Sequence, residues 1–131
     1  MVKNSLVEKD FKDGAKIIQK LDSIGFNVTV AFWLYQEESD QWALVLSSEK
    51  LRHVTKRVLY REVLRTLNRL KIRENINIKP QDIILMSPEN KLIKIIQNHV
   101  TTNSDTLDEI KLSGTFDGYY IDAAYIYRVA I

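Results

Sequence analysis

The chain has 131 residues, 45% of them hydrophobic and 27% charged, with four glycines, two prolines and no cysteine. That length predicts one domain with one core, large enough to need no disulfide or metal staple, and the composition excludes disordered and fibrous classes. The lack of cysteine excludes thiolate metal sites, cysteine nucleophiles and redox switching, while the formal charge of +2 hides a segregated distribution: nine Lys or Arg lie between Lys50 and Arg73 against the single acid Glu62.

Met1 to Lys12 is charged throughout and has no apolar h-region, so no secretory signal peptide is expected. Ser5 followed by Glu8 has the form of a capping box and predicts a helix start. Val7, Phe11, Ala15, Ile18 and Leu21 then recur at helical spacing, with Gly14 on the same side to let a neighbour approach closely. Gly25 supplies a residue tolerant of positive φ past the helix end, and Phe26 is placed to fold back onto it.

From Val28 to Tyr35 the apolar residues occupy both faces of a strand, in a run far too short to cross a bilayer as a helix. Gln36 to Gln41 is turn-like, and Trp42 to Leu46 completes an antiparallel hairpin that brings Trp33 near Trp42. Glu37, Glu38 and Asp40 in the turn lack the spaced ligands and glycine of a calcium loop, so a solvated turn is expected.

Thr55 caps a second helix whose apolar stripe is Leu59, Tyr60, Val63, Leu64, Leu67 and Leu70. Opposite that stripe, Arg57, Arg61, Arg65 and Arg69 repeat every four residues and predict a guanidinium ridge. After a connection broken by Pro80, Ile83 to Met86 reads as a short apolar strand. Ser87 followed by Pro88 predicts a third helix, about Pro88 to Asn98, burying Leu92, Ile95 and Ile96. Two final strands, Ile110 to Phe116 and Tyr119 to Val129, are joined by the hairpin dipeptide Asp117-Gly118.

The expected fold class is therefore α+β, in the order α-β-β-α-β-α-β-β, with a mixed and mostly antiparallel sheet packed with helices. Strict alternation places Tyr119, Tyr125 and Tyr127 together on one face of the last strand with Ile121, Ala123 and Val129, and Tyr120 on the other. Tyrosines on a sheet suit core positions, base stacking or a subunit interface, so this face is a candidate homodimer contact.

For catalysis the sequence offers little. His53 and His99 have no third partner to build a triad or a histidine metal site. Asp82 with Glu89-Asn90-Lys91 has a weak likeness to the D…ExK arrangement of restriction-type nucleases, but the separation is short and the segment begins a helix. No glycine-rich phosphate loop or nucleophile elbow is present, so no metal and no cofactor are expected. The chain resembles no family whose activity could be carried over to it. The leading expectation is a non-enzymatic, cytoplasmic binding module that offers Arg57, Arg61, Arg65 and Arg69 to an anionic partner, nucleic acid or an acidic protein surface. The alternatives are a small metal-dependent hydrolase or nuclease and a structural homodimer subunit.

Overall fold

A computed structural model describes residues 6–102 and 107–130. The elements are α1 (Glu8–Ser23), β1 (Val28–Gln36), β2 (Gln41–Ser48), α2 (Lys56–Glu74), β3 (Ile83–Leu85), α3 (Lys91–His99), β4 (Ile110–Phe116) and β5 (Tyr119–Val129). This is the expected α+β class in the expected order. The five strands form one sheet in the order β3-β2-β1-β5-β4, antiparallel except for the parallel pair β2 and β3. The segment joining that parallel pair contains α2, the crossover that parallel neighbours require.

Strands apolar on both sides need cover on both faces, and they receive it. On one face α1 and α2 bury Ile17, Ile18, Leu21, Leu59, Val63 and Leu67 against Ala31, Trp33, Leu44 and Leu46. On the other, α3 buries Leu92, Ile93 and Ile96 against Val30, Phe32, Val45 and Ile126. Among the described residues no helix is long and apolar enough to cross a membrane.

The helix ends show which local signals carried. Thr55 caps α2 by accepting a hydrogen bond from the Val58 amide, and Gly25 takes φ +83° after α1, letting Phe26 return to the core. Ser5 lies outside the described residues; Val7 precedes α1 and supplies no side-chain cap. Ser87-Pro88 does not start α3 as expected. Ser87 instead closes a turn, its hydroxyl and carbonyl accepting from the Glu89 and Asn90 amides, and Asn90 caps the helix three residues later.

Gly14 meets its expected close neighbour. A methyl group there would lie 2.3 Å from the Tyr127 hydroxyl and 3.1 Å from Trp33 Nε1. Tyr127 is fully buried, accepts from the Trp33 indole at 2.8 Å, donates to the Phe11 carbonyl and stacks on the Phe11 ring at 4.3 Å between centroids. Burial pushes its hydroxyl pKa well above the ordinary tyrosine value. Asp13, also buried, accepts from Lys9 and from the Asn77 amide, tying α1 to the segment after α2.

Two register shifts overturn the expected alternation of β5. Between Ala31↔Arg128 and Phe32↔Ile126 the partner strand gains a residue, and a second shift falls where Gly114↔Ile121 follows Leu112↔Ala124. Ile121 and Val129 therefore pack on the α3 side, whereas Tyr125 and Tyr127 pack on the α1 and α2 side. The first shift also turns Arg128 toward α1, where it binds Asp22 at 2.7 Å. Trp42 stands opposite Tyr35, not Trp33, with ring centroids 5.4 Å apart.

Candidate functional site

α2 is an unbroken helix of 19 residues, so its arginines are held on one rod. Its buried side comprises Leu59, Val63, Thr66, Leu67 and Leu70, with Tyr60 and Leu64 half-buried at the flanks. Arg57, Arg61, Arg65 and Arg69 are all exposed. Among the described residues none of the four makes an ion pair with a carboxylate. Other arginines of the chain behave differently: Arg52 binds Glu49 and Glu89, and Arg128 binds Asp22. Among the described residues the ridge is thus a cationic surface without a carboxylate partner, on the helix that follows the paired Arg52.

Helical geometry gives the ridge its shape. At 1.5 Å per residue it runs about 18 Å, and each four-residue step also turns by about 40°. Arg57, Arg61 and Arg65 consequently face outward within one sector, while Arg69 rotates toward α1. There Arg69 and Arg73 border a cleft of about 310 Å³ with Lys20 and Glu74. At the helix start, Lys56, Arg57 and Arg61 surround an apolar floor of Tyr60 and Leu85 in a cleft of about 340 Å³. Ile72 is 87% exposed on the outward side and Val58 is 50% exposed. Sequence reasoning missed Leu85 and Ile72 as parts of this surface, although the period places Ile72 outside the leucine stripe.

The tyrosines of β5 do not form one surface. Tyr127 is interior, and Tyr125 is half-buried, its ring 5.3 Å from Trp42 with Lys111 Nζ 5.5 Å above it. Tyr119 is 39% exposed and Tyr120 62% exposed at the opposite end of the strand.

The catalytic candidates are scattered. Asp82 lines a cleft of about 270 Å³ with Asp10, Asp40, Trp33, Trp42 and Lys79, whereas Glu89 lies in the turn before α3, bound to Arg52 and Lys94. Burial and then the charges of Asp13 and Asp82 raise the pKa of Asp10 above the ordinary carboxylate value. Tyr35 donates to Asp40, and that hydrogen bond, followed by desolvation, holds its pKa up at about 12. His99 packs on Phe116 and lies 3.3 Å from Asp117, while His53 is exposed. Among the described residues no group of three or more His, Asp and Glu is placed to hold a metal ion. No family model, no curated protein and no solved structure matches this chain.

Proposed function

We propose that this protein is a binding module whose α2 ridge engages an anionic partner, with the phosphate backbone of a nucleic acid as the partner its geometry fits best. The observation that carries this reading is the set of four exposed guanidiniums on one continuous helix, none paired with a described carboxylate. Like charges four residues apart weaken an isolated helix by a few tenths of a kcal/mol per pair. A partner of opposite charge removes that cost. Guanidinium forks match phosphate oxygens two at a time, and neutralising phosphates releases condensed counterions. Exposed Ile72 and Val58 beside the arginines add apolar contact to a surface that is otherwise electrostatic.

The test is anisotropy of labelled single-stranded and duplex oligonucleotides across a salt series. Three outward arginines on phosphates give a slope of log affinity against log salt of about −3 on duplex and about −2 on single strands. Charge reversal of Arg61 and Arg65 (R61E/R65E) is expected to reduce the slope to about −1 and to weaken binding uniformly across sequences. Unchanged binding by the double variant would remove the ridge from the reading. No binding to either nucleic acid, with salt-sensitive capture of an acidic protein, would move the reading to a protein partner.

A further inference from the structure

Two clefts at opposite corners of this molecule are complementary in charge and alike in their apolar content. The first lies at the start of α2 and is lined by Lys56, Arg57, Tyr60, Arg61 and Leu85, three cations around a tyrosine and a leucine with no acid among them. The second, about 320 Å³, lies where β1 ends and β5 begins. Its lining includes Glu37, Glu38 and Asp122, together with Leu34, Tyr119 and Tyr120, and it contains no lysine or arginine. Tyr120 and Tyr119 are among the few large apolar side chains left in solvent, and among the described residues Glu37 and Glu38 make no ion pair.

The two clefts cannot meet within one chain. Leu85 pairs with Leu46 on β2, whereas the Glu37 turn adjoins Gln41 at the other end of that strand, five residues and about 16 Å away. The clefts also belong to strands at different places across the sheet, β3 at its edge and β5 beyond β1. Lateral spacing of about 4.8 Å per strand adds more than 10 Å.

We infer that the acidic tyrosine cleft receives the start of α2 from a second copy of this chain. Arg57 and Arg61 of one copy lie against Glu37 and Glu38 of the next, and the exposed rings of Tyr119 and Tyr120 cover Tyr60 and Leu85. Arginine combines with both parts of such a cleft, since its guanidinium pairs with carboxylates and stacks on aromatic faces. Tyrosine and arginine are also the residues enriched at interface centres. Because the two surfaces differ, the contact is head-to-tail and builds a ring or an open string, not a two-fold dimer. The inference does not rest on nucleic acid being the ridge's external partner, but it makes Arg57 and Arg61 common to both contacts, so assembly and anion binding compete.

Sedimentation velocity on the nuclease-treated chain tests this directly. The weight-average mass is expected to rise with protein concentration at roughly 50 mM salt and to fall to the monomer at roughly 500 mM, as screened surface charges require. The variants E37K/E38K and R57E/R61E should each stay monomeric. Mixed in equal amounts they should associate again, because each retains one native surface and the two reversed surfaces are themselves complementary in charge. That rescue also shows that both variants are folded. E37K/E38K should in addition bind oligonucleotides at least as tightly as the wild type, since it frees Arg57 and Arg61 and adds positive charge, which separates failure of this inference from failure of the nucleic-acid reading. A wild-type chain that stays monomeric at every concentration, or an assembly that either variant leaves intact, overturns the inference. So does a mixture that remains monomeric.

Discussion

The two faces of the sheet are built on different terms. Five strands about 4.8 Å apart make a surface roughly 24 Å wide, and a packed helix covers about 10 Å of it. One face carries α1 and α2, with 16 and 19 residues, and is covered by both; the other carries α3 alone, with nine, and partly buried apolar side chains remain at the margins of each, Trp42, Leu51 and Tyr125 on the first and Leu34, Ile84 and Phe116 on the second. The covered face also holds the polar contacts that fix position: Tyr127 with Trp33 and Phe11, Asp13 with Lys9 and Asn77, and Arg128 with Asp22. The α3 face is held mainly by apolar contact, its polar contacts among the described residues being confined to the last turn of the helix, where Gln97 donates to the Ala130 carbonyl and His99 lies beside Asp117. Apolar contact drives burial without direction, whereas hydrogen bonds between buried groups select one arrangement, so the helix pair is docked specifically and α3 more permissively.

Substitutions at the Tyr127 contact should break this contrast hardest. Tyr127→Ala is expected to cost about 4 kcal/mol in chemical denaturation, because it opens a large cavity and leaves the buried Trp33 indole without an acceptor. The partly exposed Leu112→Ala on the α3 face should cost only about 1 kcal/mol. Similar losses at both positions would mean that the two faces do not differ in the way argued.

Gly14→Ala comes next, at about 2 kcal/mol, from forcing a methyl group onto the Tyr127 hydroxyl. Measured in a Tyr127→Phe background, which removes the oxygen, the same change should cost clearly less. Additive losses in that cycle would show that the clash is not with the hydroxyl.

The smallest effect concerns Asp10 on the covered side. Its pKa is raised in the folded state, so its protonated form is favoured there, and the stabilisation present below the ordinary carboxylate value is lost as pH rises through the folded pKa. Asp10→Asn should therefore raise the melting temperature slightly at neutral pH, and that gain should vanish on acidification below pH of about 4. A loss of stability at neutral pH would assign Asp10 a favourable contact instead.

Much of this fold was legible because its signals are local. Thr55, Gly25 and the Asp117-Gly118 turn act through neighbouring backbone, and Gly14 declared a close contact by falling on an apolar stripe. The errors came from choices made at a distance. Nothing in β5 itself marks where its register slips, because the shifts are set by pairing with β1 and β4, so plain alternation puts Ile121 on the same face as Tyr125 and Tyr127, where the structure does not. Ser87-Pro88 carried a valid start signal, yet the Ser87 turn used it first and Asn90 capped the helix. The ridge was readable because one helix fixes all four arginines. The acidic cleft was not, since Glu37 and Tyr120 are brought together only by the pairing of β1 with β5.

That same pairing governs the order in which the protein can assemble. β1 and β2 are joined by a short turn and can zip early, but the other flank of β1 must wait for β5, whose Val129 joins Val30 from about a hundred residues away, the kind of contact that makes folding slow. Until then a strand as apolar as Val28 to Tyr35 has a bare flank able to pair with another chain. Refolding yield at high protein concentration, more than equilibrium stability, is where this molecule is most vulnerable, and lesions in β5 far from any binding surface should appear first as aggregation.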